Sequence, residues 1–295
     1  MKYVSAPYKK DLRHLIKLLD DPDGEVLSIV SETIVRMGVE IIPDLQQELV
    51  RHYDNEIVSD NIHRIIQKIH FTGAKERVLQ WLNSYEHDLW ELLLIIDGLE
   101  PKFPENSLLQ TFIEDVYKDV WLELNDNLTP LEKIKIINHI IFDEYGFRGN
   151  KENIRSISNY LISGVLETRK SNSLVLGIIY ITIARKVGLP VCGVNLPMNF
   201  LVGYLNDLEL ETNGKVNKIL FYINPFEKGK LLNNYGIEEY LKKVKKYTAV
   251  SGKEILDVVT NRQIGYLLLK ALAESYSKEK QDEKAKLINQ ILELF

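Results

Sequence analysis

The sequence predicts an α+β protein that is mostly helical and contains one small antiparallel sheet. The first hundred of its 295 residues carry apolar side chains at helical spacing throughout. A long apolar helix is predicted to follow the polar residues 171–173 and to end at Gly188 and Pro190. Short runs rich in Val, Leu and Phe come next, and Asn213-Gly214 between two of them is the strongest short-range signal of a hairpin.

The N-terminal third contains a degenerate internal repeat. The phrase EVLSIVSETIVRMG returns as EIVSDNIHRIIQKI after about 31 residues, a period that suits a stack of antiparallel helix pairs. Two prolines in PKFPEN, residues 101–106, cannot continue a helix and indicate a boundary. We therefore predict a HEAT-like helical repeat region over residues 1–104, followed by a core over residues 105–235.

Residues 236–295 are predicted to be helical again. Their last 35 residues, NRQIGYLLLKALAESYSKEKQDEKAKLINQILELF, indicate two amphipathic helices, as in one tetratricopeptide-like hairpin. The end of such a hairpin binds a partner in some proteins and packs on its own domain in others. The run YLKKVKKY at residues 240–247 carries four lysines, which suit either an anionic partner or a solvated helix face.

Composition narrows the classes of function. The formal net charge of −5 and the pI near 5.8 give no electrostatic footprint for nucleic acid. The single cysteine, Cys192, excludes an intramolecular disulfide and indicates a reducing compartment. The start, MKYVSAPYKKDL, lacks a signal-peptide apolar region, and the apolar run 174–184 is too short to span a bilayer. We expect a soluble cytoplasmic protein without nucleic-acid or membrane partners.

No cofactor or metal is predicted. No His, Cys or carboxylate residues show metal-ligand spacing along the sequence. The glycine-containing phrases GFRGN and FEKGK have too few glycines, and the wrong spacing, for a Walker-type phosphate loop. The oligomeric state and the identity of any protein partner stay open.

Four phrases resemble one known family. They are GFRGN (146–150), NYLISGVLETR (159–169), the stretch 174–200 that contains ARKVGLP and VNLPMNF, and NPFEKG (224–229). This series is similar to the bacterial SirB-type branch of the transglutaminase-like superfamily, a branch also found inside a eukaryotic F-box protein. The resemblance implies a papain-like core, N-terminal helical repeats and a C-terminal tetratricopeptide-like tail.

The resemblance also implies the position of a site. Enzymes of the superfamily use a cysteine at the start of the central helix, a histidine on the next strand and an aspartate on the strand after that. Aligned on ARKVGLP, these positions hold Ser173, Asn199 and Asn224, so all three catalytic residues are replaced. The replacement matters because a helix N-terminus can activate a thiol, whereas a serine needs an adjacent base and asparagine cannot accept the proton.

Two main interpretations of Ser173 follow. In the first, the protein is a pseudoenzyme that serves as a protein-interaction or regulatory scaffold. Ser173, or its neighbours Asn172 and Ser171, then caps the helix by accepting from the N–H of Val175 or Leu176.

In the alternative interpretation, Ser173 is the nucleophile of a residual hydrolase or acyltransferase. Its base would be Asp207, Glu227 or His139, and Asn199 would donate to an oxyanion. A third possibility is that the vacated cleft binds a small molecule or a peptide.

Other residues have predicted structural roles. His139 is expected to be an ordinary helix-face histidine, and Cys192 a small buried thiol within a strand. Gly177, inside the apolar helix, is expected to permit close packing of another element. Arg148 and Asn150 are expected either to line the cleft or to order their own loop.

Overall fold

The protein divides into two compact units in a computed structural model, which describes residues 6–100, 108–206, 219–245 and 257–295. The first unit comprises Met1–Gln80 with Gly98–Glu100. The second comprises Trp81–Asp97 with Pro101–Phe295. The three domain ranges predicted from the sequence stay predictions.

The first unit is built from helices around one apolar core. The helices are α1 (Ala6–Ile16), α2 (Gly24–Arg36), a short 3-10 helix (Val39–Ile41), α3 (Ile42–Arg51) and α4 (Glu56–Asn83), which belongs to this unit up to Gln80. Leu19, Ile34, Leu45 and Ile62 are fully buried in this core and come from successive parts of the chain. The second copy of the repeated phrase forms the first half of α4, a single helix of 28 residues.

The described residues of the second unit form eight further helices. They are α5 (Leu89–Asp97), α6 (Leu108–Glu123), α7 (Pro130–Asn138), α8 (Ile162–Thr168), α9 (Ser173–Lys186), α10 (Asn234–Lys245), α11 (Asn261–Lys278) and α12 (Asp282–Leu292). A π-helical turn, His139–Glu144, continues α7, and short 3-10 helices span Ile157–Asn159 and Pro225–Glu227. Helices α11 and α12 pack against each other, which confirms the predicted C-terminal helical pair.

A five-stranded sheet lies in the second unit. Its strands are β3 (Val191–Leu196), β4 (Asn199–Leu205), β5 (Ile219–Asn224), β6 (Lys230–Leu232) and β7 (Asp257–Val259), in the order β6-β5-β4-β3-β7 with every neighbouring pair antiparallel. Two shorter strands, β1 (Arg148–Gly149) and β2 (Lys170–Ser171), pair in parallel elsewhere. The mostly helical α+β class with a small antiparallel sheet is thus confirmed.

Two sequence expectations about strands have different outcomes. Residues 236–295 were expected to be helical, but residues 257–259 form β7 and pair with β3. That expectation was wrong because three residues are too few to show the alternating pattern of a strand. Pairing with a strand distant in the sequence decides their conformation. The hairpin predicted at Asn213-Gly214 lies outside the described residues.

Helix α9 packs closely on the sheet through a glycine. Gly177 faces the ring of Phe200 in β4, so a Cβ built at Gly177 would come within 2.6 Å of the ring's Cε1. The same ring also reaches Gly193 in β3, where a Cβ would lie 2.7 Å from Cζ. Phe200 is buried, so two glycines on two elements make room for one aromatic side chain. The close approach predicted for Gly177 is confirmed.

We predict that Gly177→Ala destabilises the protein although alanine favours helices. The added methyl group must displace a buried ring, and overpacking of this kind costs about 1–3 kcal/mol. Gly73→Ala in α4 is the matched control, because its Cβ would meet only a Val39 methyl at 3.8 Å. That control should be neutral or stabilising by up to about 1 kcal/mol. Chemical denaturation measures both values, and equal effects would contradict the packing of α9 described above.

Candidate functional site

The N-terminus of α9 is capped by Asn172. Its side-chain oxygen accepts a hydrogen bond from the backbone N–H of Val175 at 2.9 Å, and its backbone is extended as a capping residue requires. The sequence correctly placed a cap within residues 171–173, but Ser173 is not the capping residue. Ser173 is the first helical residue and is half-buried, which leaves its hydroxyl free to bond outside the helix.

Ser173 instead accepts a hydrogen bond from the neighbouring strand. The backbone N–H of Phe200 donates to Ser173 Oγ at 3.1 Å and also to Asn199 Oδ1 at 2.9 Å. The two side chains are therefore brought together on one amide.

The position of Phe200 in the sheet explains why its amide needs these acceptors. Successive residues of an antiparallel strand direct their N–H groups alternately to one neighbour and the other. The two-residue turn between β3 and β4 directs the Phe200 N–H away from β3. On the other side, β5 pairs with β4 only from Val202 onward, where it faces Ile223. Among the residues that the structure describes, Phe200 thus has no strand partner for its N–H, and a buried unpaired amide would cost about 1–3 kcal/mol.

Asn224 has a different task, at the end of β5. Its side-chain oxygen accepts from the N–H of Phe226 at 3.1 Å, and its backbone carbonyl accepts from the N–H of Gly229 at 2.9 Å. Both bonds hold the turn that follows β5, and Asn224 is buried beneath it. Within the described ranges, no hydrogen bond joins Asn224 to Ser173 or Asn199, although antiparallel pairing puts the start of β4 and the end of β5 at the same end of the sheet.

That turn is also tied to the middle of α9. Tyr180 donates to the side-chain oxygen of Asn138 at 2.9 Å, and the amide group of Asn138 donates to the carbonyl of Gly229 at 2.9 Å. Burial raises the pKa of Tyr180 well above its usual range, so the phenol stays protonated as this donor. Gly229 has a positive φ of 72°, and Asn138 fills the space where a Cβ would stand.

None of the suggested bases contacts Ser173 in the described structure. His139 is half exposed and faces carboxylates of its own helical turn, with Nδ1 at 3.4 Å from Asp143 and Nε2 at 3.5 Å from Glu144. Glu227 pairs with Lys230 at 3.2 Å. The third suggestion, Asp207, lies outside the described residues.

Cys192 is a buried thiol within β3, as predicted. Burial raises its pKa to about 11. A thiol with this pKa is almost entirely protonated at neutral pH, which opposes a role as a nucleophile.

Asn159 organises the segment before α9 and was missed by the sequence analysis. It is buried, and its backbone carbonyl accepts from Ser171 Oγ at 2.6 Å and from the side-chain amide of Asn172 at 3.4 Å. Its own side chain accepts from Asn150 Nδ2 at 2.9 Å and donates to the carbonyl of Ile154 at 2.9 Å. The signal was available, because Asn159 is the first residue of the phrase NYLISGVLETR.

This network settles the role of Asn150 as loop ordering, because its side chain also accepts from the N–H of Asn153 at 3.1 Å. Arg148 is exposed and lines a cavity with Gly149 and Phe226. Ser173, Asn199 and Asn224 do not line that cavity.

The described residues form neither a metal-ligand cluster nor a membrane-spanning helix. No group of three or more His, Cys, Asp or Glu side chains there is placed to hold a metal ion. Among the helices of those residues, none is both long enough and apolar enough to cross a membrane.

Helix α9 carries Ser173, and the neighbouring strands β4 and β5 of the antiparallel sheet carry Asn199 and Asn224. A family profile described as "Transglutaminase-like superfamily" matches residues 108–292, more than half of the chain. The chain belongs to this superfamily.

Particular relatives refine the family. A UPF0162 protein of Xylella fastidiosa is 26% identical over 193 residues, which cover 64% of each chain. Protein SirB1 of Salmonella typhimurium is 27% identical over 170 residues, covering 58% of this chain and 60% of SirB1. These relatives support a SirB-type member of the family.

Mouse F-box only protein 21 is 29% identical over 159 residues, which cover 54% of this chain and 24% of that protein. The chain thus spans less than two thirds of these bacterial relatives and about a quarter of the mouse protein. No solved structure matches the chain.

We predict that Asn172→Ala destabilises the protein by about 1–2 kcal/mol, because it removes the cap of a buried helix. Ser173→Ala should cost less, no more than about 1 kcal/mol, because Asn199 still accepts from the Phe200 amide. Asn172→Ser is the control, since serine is also a good capping residue and should retain most of the stability. Chemical denaturation ranks the three variants, and a larger loss for Ser173→Ala than for Asn172→Ala would contradict this assignment.

Proposed function

We propose that this protein is a catalytically inactive, SirB-type member of its superfamily that acts as a scaffold for protein interaction or regulation. The main support for the proposal is the hydrogen bond that Ser173 accepts. The hydroxyl at the position of the family nucleophile accepts a backbone hydrogen bond from Phe200, and no titratable side chain among the described residues bonds to it. Ser173 then serves to hold β4 against the start of α9.

The lack of a suitable base near Ser173 supports the proposal that the protein is catalytically inactive. Serine becomes a nucleophile only when a base within hydrogen-bond reach takes its proton. Asn199, at the histidine position, has no proton-accepting group at physiological pH and is already oriented by the Phe200 amide. Asn224, at the aspartate position, is neutral and stabilises the turn after β5. A residual hydrolase or acyltransferase would need a base that these contacts do not supply.

The helical segments that precede and follow the core in the sequence support the scaffold role. Helices α1–α4 suit a HEAT-like stack, and the pair α11–α12 suits a tetratricopeptide-like hairpin, two architectures that often bind proteins. Trp121 and Leu122, near the end of α6, expose 60% and 73% of their surface, as apolar residues at protein-binding surfaces do. We place this activity in the cytoplasm, in agreement with the single unpaired cysteine.

Labelling with a serine-directed fluorophosphonate, followed by intact mass, tests the proposal. We expect the parent protein and Ser173→Ala to gain the same mass on labelling, because the probe does not react with Ser173. A single probe mass on the parent that disappears in Ser173→Ala would establish a working nucleophile and overturn the proposal. A protein partner captured by the parent should also be captured by Ser173→Ala, because binding does not need the hydroxyl.

A variant with the family residues restored, Ser173→Cys/Asn199→His/Asn224→Asp, is the control for access to the site. Its new thiol should react with iodoacetamide faster than the buried Cys192 does, which shows that a reagent reaches the position. If the parent does not react with the fluorophosphonate, the cause is then the unreactive Ser173 and not a blocked site.

A further inference from the structure

Two separate phrases of the sequence, GFRGN and NPFEKG, meet in space. Gly149 of β1 lies directly against the ring of Phe226, so a Cβ at Gly149 would come within 2.6 Å of the ring. The strand Arg148–Gly149 packs on the 3-10 helix Pro225–Glu227. The Phe226 ring can lie this close because Gly149 has no side chain. The contact brings the residues that flank Gly149 and Phe226 close together.

A cavity of about 530 Å³ opens at this junction. Its volume lies within the range of about 300–1,000 Å³ typical of small-molecule sites. Its wall comes from three separate segments and is lined by Arg148, Gly149, Lys151, Glu152, Lys170, Phe226, Glu227 and Lys228.

The cavity carries excess positive charge. Four of its lining side chains are cationic and two are carboxylates. Both carboxylates already have lysine partners, since Glu152 lies 3.2 Å from Lys170 and Glu227 lies 3.2 Å from Lys230. Arg148 and Lys151 have neither an ion pair nor a side-chain hydrogen bond with any residue the structure describes. These two cations are therefore available to a ligand.

The walls are held in place by the interactions that surround them. The Arg148 N–H donates to the carbonyl of Arg169 at 2.9 Å, and the Asn150 N–H donates to the carbonyl of Ser171 at 2.8 Å, which fixes the loop beside β2. On the opposite wall, Asn224 holds both ends of the turn that carries Phe226 and Glu227. A site fixed before binding needs less ordering when the ligand arrives.

We propose that this cavity binds a small polyanion that carries phosphate or carboxylate groups. The Arg148 guanidinium can grip such a group with two parallel hydrogen bonds, while Lys151 adds a compact charge. Phe226 supplies an apolar wall for the body of the ligand. The site differs from a Walker-type loop because side-chain cations, and not glycine amides, provide the positive charge. It stands independently of the proposed function, since Ser173 and Asn199 do not line it.

Calorimetric titration of the full chain with pyrophosphate and, separately, with citrate at about 0.15 M salt tests the proposal. We expect saturable binding of at least one anion. Arg148→Gln/Lys151→Gln should weaken it by about tenfold or more, because each lost contact is a charge-assisted hydrogen bond. The matched control, Arg64→Gln/Lys68→Gln, removes the same two charges from exposed positions of α4 in the first unit and should bind like the parent.

The anion that binds more tightly shows whether the cavity prefers phosphate or carboxylate groups. Absence of saturable binding by both anions would overturn the proposal, and so would an equal loss in the cavity and control variants. Arg148 and Lys151 are exposed, so both double variants should melt like the parent. If the cavity double variant failed to fold, Lys151→Gln alone should still weaken binding, and unchanged binding there would contradict the site.

Discussion

The second unit depends on the close approach of β4 to α9. Phe200 occupies the space that Gly177 and Gly193 leave open, and its backbone amide meets Ser173 at the first turn of the helix. One residue thus fixes both the depth and the register of the helix on the sheet. The hydroxyl and the ring act together, because the ring sets the distance at which the amide reaches Ser173.

Under the proposed function, this constraint gives the three family positions a structural role that does not depend on catalysis. In the superfamily's enzymes, as implied by the resemblance, the three positions would be catalytic. Here Ser173 and Asn199 share an amide that the sheet leaves without a strand partner, while Asn224 holds the turn after β5. Small polar side chains satisfy these backbone groups without a titratable proton. The same turn forms one wall of the basic cavity, so Asn224 also shapes the surface for which we propose anion binding.

Local features of the sequence predicted much of the fold. The apolar run before Gly188, the Val-rich strands and the need for a small residue at Gly177 are all visible over a few neighbouring residues. The choice of cap was not, because residues 171–173 are all small and polar and only the tertiary partners decide among them. Strand β7 and the junction of Gly149 with Phe226 also escaped prediction, since each pairs segments far apart in the sequence.

Hydrogen exchange at the Phe200 amide, measured by NMR, tests the central claim that Ser173 and Asn199 accept this backbone N–H. We expect slow exchange in the parent, a modest increase of the exchange rate in Ser173→Ala, and a much larger increase in Ser173→Ala/Asn199→Ala. Exchange at Val202, whose partner on β5 is in place, should change little and serves as the internal reference. Fast exchange at Phe200 in the parent, or no change in the double variant, would contradict the account.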